Sequence, residues 1–154
     1  FFKVKNKLFP KLCTIYTGPI DKYFDFKYGI LDWRSIEFKF ESFKKKYYQN
    51  YVQINYPNCF KFTRKVEFKH VTKQEIDYTT ISKDFPKSDG DPYYPVNTIL
   101  NNLKYEKYKK LIKSVKNTFF IGRLAEYTYI NTDEAINKGL KFAEGDLKKL
   151  IYEK

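Results

Sequence analysis

The sequence has few of the residues that hold metals or disulfides, with two cysteines, one histidine and no methionine among 154 residues. Neither Cys13 nor Cys59 stands in a CxxC or other metal-ligand spacing, so both are predicted to be small buried or half-buried hydrophobic residues. His70 alone cannot build a histidine-rich metal centre, and no Ser/His/Asp or Cys/His triad is evident around it. The sequence therefore predicts no metal site and no triad hydrolase.

Long apolar runs are missing as well. No run approaches the ~20 residues that a membrane helix needs, and Phe1-Phe2-Lys3 lacks the layout of a signal peptide. We therefore expect no membrane span and a cytoplasmic location. The chain has no initiator methionine, and a motif typical of the middle of a protein begins at Ile15. These two features lead us to expect a piece of a longer protein.

Arginine is scarce in a chain that is otherwise strongly basic. The net charge is +12, yet of 30 basic residues only Arg34, Arg64 and Arg123 are arginines. Because a planar guanidinium makes bidentate contacts that an ammonium cannot, these three are the first candidate binding residues. The lysines are spread along the chain among 18 acidic residues, which favours a solvated surface over a nucleic-acid-binding face.

Polar and apolar residues alternate in four stretches, which predicts short strands of an antiparallel sheet with one packed face and one wet face. These stretches are residues 34–41, 51–56, 65–69 and 78–81. Shorter β runs are predicted at 12–16 and 118–122. With 42% hydrophobic and 20% aromatic residues, the chain can form the core of one domain or of half a larger enzyme.

Two helices are predicted in the last third of the chain. Asn97 is the expected cap of the first, whose apolar positions are Leu100, Leu103, Tyr108, Leu111, Ile112 and Val115. Asn131 or Thr132 is the expected cap of the second, with Asp133 and Glu134 in its first turn. Its predicted buried stripe is Ile136, Leu140, Ala143, Leu147, Leu150 and Ile151.

One motif pairs an arginine with an asparagine. Arg64 precedes an alternating strand and can reach a diphosphate, while Asn55, expected on the neighbouring strand, can bond a sugar or a base edge. The alternative is a surface Arg64 paired with Glu67.

Tyrosines and glycines carry the other motifs, in residues 90–97 and 122–129. Phenol hydroxyls are good neutral donors to phosphate oxygens, and Gly122-Arg123 before a helix suits anionic or polar cofactor atoms. The alternative for the tyrosines is core packing, which is a strong competitor in a chain with 15 tyrosines. A strand that ends at Gly18 suits close approach of a dinucleotide, although Thr17-Gly18-Pro19 is also an ordinary turn. No single motif decides the function.

Five segments stand in a characteristic order along the chain: YTGPIDKYFDFKYGILDWRSIEFKFE, INY, FTRKVEFKH, GDPYYPVN and GRLAEYTY. Together they resemble the C-terminal half of UDP-galactopyranose mutases, over residues 15–140. The resemblance implies an α+β fold, with a twisted antiparallel sheet beside terminal elements of a Rossmann-like FAD domain. It assigns 1–24 to a strand-turn element of the FAD domain, 25–96 to the antiparallel, substrate-binding sheet and 97–154 to a helix-strand-helix segment completing the FAD domain.

The resemblance also implies a reaction. Mutases of this family interconvert UDP-galactopyranose and UDP-galactofuranose with reduced FAD and without net redox change, and galactofuranose enters cell-surface polysaccharides. The expected partners are these two nucleotide sugars and an N-terminal FAD-binding segment. No nucleic acid is expected, and a homo-oligomer is compatible with the sequence.

Site residues follow from the resemblance position by position. Arg64 matches the arginine that contacts the diphosphate near the flavin and is the expected catalytic residue. Asn55 matches a substrate-contacting asparagine, Tyr94 and Tyr129 match tyrosines that bind the UDP phosphates, and Arg34 matches a further arginine of the cleft. The expected FAD contacts are Gly18, Gly122, Arg123, Tyr129, Ile130, Asn131, Thr132, Asp133 and Glu134.

The chain departs from the family pattern at several positions. Asn131 stands where an aspartate is usual, Ile121 replaces the first glycine of Gly-Gly-Arg, and Phe68 stands where a histidine is common. The sequence contains no GxGxxG and no counterpart of the mobile-lid residues, so we expect these 154 residues alone to be inactive. The alternatives are a non-catalytic remnant or UDP-sugar-binding module and, with less support, a basic nucleic-acid-binding protein.

Overall fold

The computed structural model describes residues 1–152 (of Asn6, only the backbone), and its contacts divide the chain into two compact units. One unit combines residues 1–33 with 92–154, and the other comprises 34–91. The segments predicted from the sequence, 1–24, 25–96 and 97–154, stay predictions. Residues 153–154 of the last segment lie outside the described residues.

The chain combines helices with an antiparallel sheet and a separate parallel pair of strands, which confirms the α+β class. The strands are β1 (Thr14–Tyr16), β2 (Trp33–Phe43), β3 (Gln53–Asn55), β4 (Arg64–Glu67), β5 (Thr79–Lys87), β6 (Tyr94–Pro95) and β7 (Thr118–Phe120). The helices are α1 (Ile20–Tyr23), α2 (Lys69–Thr72), α3 (Ile99–Ile112), α4 (Thr132–Phe142) and α5 (Lys148–Tyr152), with a 3-10 turn at Lys5–Lys7 and a π-helical turn at Ala143–Leu147.

Strands β3, β4, β5 and β2 lie side by side in that order and form the antiparallel sheet of unit 34–91. Its register places Asn55 opposite Arg64, Arg64 opposite Asp84, and Asp84 opposite Phe38. Since side chains alternate between the two faces of a strand, these four residues form one row on one face of the sheet. The prediction that Asn55 lies on the neighbouring strand is therefore confirmed, whereas Arg64 begins β4 and does not precede it.

The other unit is organised by the parallel pair β1–β7 and by a small core of Ile20, Leu31, Tyr108 and Tyr127. Tyr108 fixes the adjoining loop because its hydroxyl donates to the Gly29 carbonyl at 2.7 Å and accepts from the Tyr28 N–H at 3.0 Å. The core is rich in tyrosine, and its buried hydroxyls are hydrogen-bonded as burial requires.

The predicted buried faces of the two long helices are wrong in part. Leu100 and Leu103 are 72% and 59% exposed on α3, and Ile136 and Leu140 are 58% and 55% exposed on α4. The α3 face that is buried carries Tyr108 and the polar Asn101, whose amide donates to Asp32 Oδ2 and to the Val96 carbonyl. Part of the inward face of α3 is therefore a hydrogen-bonded polar residue, which apolar spacing alone does not reveal.

Several smaller predictions also needed correction. Ala143 and Ile151 are exposed, and Phe142 is the buried residue at the end of α4. The cap of α3 is Thr98, whose hydroxyl accepts from the Asn101 N–H, and not Asn97. Cys59 is exposed because it lies in the loop between β3 and β4, whereas Cys13 is half-buried.

Within residues 1–152, no helix is long and apolar enough to span a bilayer.

Candidate functional site

Arg64 is held on the sheet of unit 34–91 by a buried carboxylate. Its Nε donates to Asp84 Oδ2 at 2.6 Å, and Asp84 Oδ1 accepts from the Ser82 hydroxyl at 2.7 Å. Asp84 is 3% exposed and Ser82 is 1% exposed. The alternative pairing of Arg64 with Glu67 is wrong, because the register places Glu67 on the opposite face of β4.

The outer edge of the Arg64 guanidinium remains available for a ligand. Among residues 1–152, none accepts a hydrogen bond from either terminal nitrogen, and 32% of the side chain is exposed. The neighbouring Asn55 is exposed. Its side-chain Oδ1 accepts from Gln53 Nε2 at 3.0 Å, which leaves the side-chain N–H groups of Asn55 as donors. This row presents hydrogen-bond donors suited to anionic or hydroxyl oxygens.

Glu67 has a structural role on the other face of the sheet. Its carboxylate is fully buried and accepts from the Tyr48 and Gln49 N–H groups at 2.8 and 2.9 Å, and from the Thr79 hydroxyl. Burial alone would raise the pKa of Glu67, but these hydrogen bonds and the nearby His70 lower the pKa below its ordinary value. The carboxylate thus anchors the loop between β2 and β3.

Tyr94 and Tyr129 come together in the other unit. Their ring centroids are 5.7 Å apart and the rings are stacked at 28°. The guanidinium carbon of Arg123 lies 5.3 Å from the Tyr94 ring centroid and 4.9 Å from that of Tyr129. Three residues predicted from two separate motifs therefore form one cluster, which we call the tyrosine–arginine cluster.

The Arg123 side chain donates hydrogen bonds to backbone carbonyls in both segments that carry these tyrosines. Its Nη1 donates to the Tyr93 carbonyl at 3.3 Å, and its Nη2 donates to the Ile130 carbonyl. Tyr93 directly precedes Tyr94, and Ile130 directly follows Tyr129.

The hydroxyls of the cluster tyrosines differ from those of the core tyrosines. The hydroxyls of Tyr16, Tyr108 and Tyr127 each donate to a backbone carbonyl, and burial raises the pKa of Tyr127 to about 12. No described residue bonds the hydroxyl of Tyr94 or Tyr129, and Tyr129 is 54% exposed. Core packing therefore does not explain the pair, whose hydroxyls are free to bind a ligand.

The two predicted site glycines serve different purposes. A Cβ at Gly18 would lie 2.7 Å from the Tyr16 hydroxyl oxygen, so an alanine there would force the buried Tyr16 ring to shift. Gly122 has φ +99°, a backbone conformation that residues with a side chain rarely adopt. Open space surrounds the position that its Cβ would occupy. Its N–H donates to Glu126 Oε2 at 2.9 Å.

A groove lies at the start of α4. It has a volume of about 320 Å³ and is lined by Pro92, Tyr93, Arg123, Leu124, Ile130, Asn131, Thr132 and Ala135. Asn131, one of the two predicted caps, is the N-cap, and Glu134 Oε2 accepts from its N–H at 2.7 Å. The positive end of the helix dipole and the Arg123 guanidinium suit an anionic or polar group. The groove is near the lower limit for a small-ligand site, so it fits part of a dinucleotide cofactor and not all of one.

The remaining predicted residues add less to the site. Arg34 lies exposed on β2, and Asp133 lies exposed in the first turn of α4. Glu134 is engaged in capping the helix. No group of three or more His, Cys, Asp or Glu residues that could hold a metal ion occurs in the part of the chain that the structure describes.

Comparison with known proteins identifies the family. The model of the family described as UDP-galactopyranose mutase matches residues 1–129. The chain belongs to the UDP-galactopyranose mutase family.

Curated relatives agree with this assignment. The chain is 39% identical over 140 residues to a UDP-galactopyranose mutase of Mycoplasma genitalium and 37% identical over 140 residues to one of Mycoplasma pneumoniae. It is 32% identical over 136 residues to a dTDP-fucopyranose mutase of Escherichia coli. Each alignment covers 85% of this chain but only 35%, 35% and 36% of the respective relative.

Sequence reasoning on this UDP-galactopyranose mutase family member missed two site residues, Asp84 and Ser82. The signal for Asp84 is a carboxylate in an otherwise alternating, half-buried strand, which calls for a cationic partner. Naming that partner requires the strand register, which the sequence does not reveal.

Proposed function

We propose that this chain supplies the nucleotide-sugar-binding part of a flavin-dependent UDP-galactopyranose mutase, an isomerase of the cytoplasm. The proposal rests on the tyrosine–arginine cluster in a chain of this family. Two tyrosines with unbonded hydroxyls stack beside a guanidinium. This arrangement offers neutral donors and one positive charge, which suits a diphosphate.

The tyrosine hydroxyls are assigned to the phosphate oxygens. Hydrogen bonds to an ionised acceptor are shorter and roughly twice as strong as those between neutral groups. Tyr94 and Tyr129 can make such bonds without the cost of burying another charge. They hold the diphosphate when it is part of the substrate and also when it has left the sugar.

Arg64 is assigned the catalytic role of stabilising the charge that develops on the departing diphosphate. Because Asp84 occupies Nε, the terminal nitrogens of Arg64 form the edge that can make a bidentate contact. Asn55 and Arg34 are assigned to polar groups of the nucleotide sugar.

The cofactor that the family implies is FAD in its reduced form, which supplies the nucleophile for the sugar. The residues assigned to hold it are Gly18, Gly122, Arg123 and residues 129–134. The groove at the start of α4 supports this assignment for one polar portion of the cofactor. Asn131 in place of the usual aspartate removes one negative charge from the protein site assigned to that portion.

A second candidate is a mutase that acts on a different nucleotide sugar. One relative at 32% identity is named dTDP-fucopyranose mutase. A diphosphate site built from phenols and arginine does not distinguish the base or the sugar, so both substrates belong in the test.

The test uses the full-length protein that carries this sequence, supplied with reduced FAD. UDP-galactofuranose and dTDP-fucofuranose are incubated separately and the products are separated by chromatography. The proposal predicts conversion of UDP-galactofuranose to UDP-galactopyranose. Conversion of the dTDP sugar alone would support the second candidate, and no conversion of either, combined with UDP binding, would indicate a UDP-sugar-binding module. Tighter binding of single-stranded DNA than of UDP at moderate salt would contradict both mutase assignments.

A further inference from the structure

We propose that Arg123 is a positioning residue that presets the Tyr94–Tyr129 pair for a diphosphate ligand. The identity of the ligand, a diphosphate, rests on the proposed function. The positioning of the two tyrosines by Arg123 rests on contacts within this chain alone. The family resemblance assigns Arg123 to the cofactor, whereas its contacts in the structure are with the two tyrosine rings and the backbone beside them.

The three groups touch one another in pairs. The distances between the two ring centroids and the guanidinium carbon are 4.9, 5.3 and 5.7 Å, so the three centres form a compact triangle. A guanidinium sandwiched between the two rings would hold their centroids roughly twice as far apart as each lies from the guanidinium, whereas the centroids are only 5.7 Å apart. Arg123 therefore packs beside the stacked pair and contacts both rings at once.

Both terminal nitrogens of Arg123 already donate to the protein. Their acceptors are the carbonyls of Tyr93 and Ile130, each adjacent in sequence to one tyrosine of the pair. A planar fork with two diverging donors can bridge two chain segments in this way, and a lysine ammonium cannot reproduce the bridge together with the ring contacts.

This arrangement orders the pair before a ligand binds. Without the bridge, the half-exposed Tyr129 would have to be ordered at the moment of binding, and that cost weakens affinity. The role of Arg123 in diphosphate affinity is therefore expected to depend on the two hydroxyls that it positions.

The test is a set of UDP titrations by calorimetry on the full-length protein carrying this sequence. The variants are Arg123→Lys, the double variant Tyr94→Phe/Tyr129→Phe, and the triple variant. We expect Arg123→Lys to weaken UDP binding about tenfold. In the double-variant background, the same change should weaken it by less than about twofold, because coupled residues are not additive. Lys109→Arg and Tyr152→Phe, both at exposed positions, are matched controls that should leave binding unchanged.

The outcomes separate the two proposals. A further tenfold loss in the triple variant would overturn positioning and assign Arg123 a direct contact. Unchanged binding in Arg123→Lys would overturn the inference while leaving the proposed function standing. A wild-type protein that does not bind UDP would contradict the proposed function. Fluorine NMR of protein containing 3-fluorotyrosine then still tests the positioning, since the resonances of Tyr94 and Tyr129 should shift in Arg123→Lys and unchanged spectra would overturn it.

Discussion

Arg64 and Asp84 face each other across strands β4 and β5, with Arg64 Nε donating to Asp84 Oδ2 at 2.6 Å. The Asp84 side chain is 4% exposed and that of Arg64 is 32% exposed. The bond therefore lies at the boundary between the sheet interior and its accessible face. It fixes one side of the guanidinium and leaves the other side for a ligand.

Asp84→Asn should destabilise unit 34–91. The change removes the charge that compensates a half-buried guanidinium, and breaking such a charged hydrogen bond costs about 1–3 kcal/mol in the free energy of unfolding. Urea denaturation monitored by circular dichroism measures this cost. Asp89→Asn, at an exposed position, is the control and should change the free energy by less than about 0.5 kcal/mol. Equal stability of both variants would show that the ion pair contributes nothing.

Arg64→Lys should reduce turnover of the mutase reaction by about 100-fold or more. A lysine ammonium cannot make the bidentate contact, and removing one donor that stabilises developing charge costs factors of this size. Steady-state kinetics with UDP-galactofuranose provide the measurement. Lys44→Arg, an exposed exchange in the same unit, should leave turnover normal. Near-normal turnover of Arg64→Lys would remove the catalytic role assigned to Arg64.

Glu67 should make the stability of the sheet depend on pH in the acid range. Its folded-state pKa lies below the ordinary value of 4.5, so its contribution is present above that value and is lost as the pH falls through the folded-state pKa. Glu67→Gln should therefore be less stable than wild type at pH 7, and its stability should fall less steeply below pH 4.5. Thermal unfolding between pH 7 and pH 3 measures both slopes. Parallel curves for the two proteins would contradict this account.

Glycine substitutions should separate steric from conformational requirements. Gly18→Ala places a Cβ against the Tyr16 ring, and Gly122→Ala forces alanine to φ +99°, so each should lower the free energy of unfolding by about 1–3 kcal/mol. Gly139→Ala is the matched control. It lies within α4 with open space around it, and alanine there should stabilise by about 0.5–1 kcal/mol. Melting temperatures of the three variants test the order.

The sequence located strands well where polar and apolar residues alternate over a long stretch. Alternation over residues 34–41 marked β2, which the structure extends to Phe43. It also placed Asn55 on the strand next to the one that Arg64 adjoins, although Arg64 is the first residue of β4 and does not precede that strand. The family resemblance singled out Arg123, Tyr94 and Tyr129, and the structure brings these three together.

Other features depended on contacts that no local pattern encodes. Leu100 and Ile136 are exposed even though they fit helical spacing, because the inward faces of the helices are chosen by partners distant in sequence. Asp84 could be identified as the partner of Arg64 only from the register of β5 against β4. The bridge from Arg123 to the carbonyls of Tyr93 and Ile130 likewise joins segments that are separate along the chain.

The most direct test of the account is a crystal structure of the full-length protein bound to UDP. We expect the hydroxyls of Tyr94 and Tyr129 each to lie within hydrogen-bond distance, about 2.5–3.0 Å, of a diphosphate oxygen. A diphosphate bound elsewhere, with both phenols facing solvent, would contradict it.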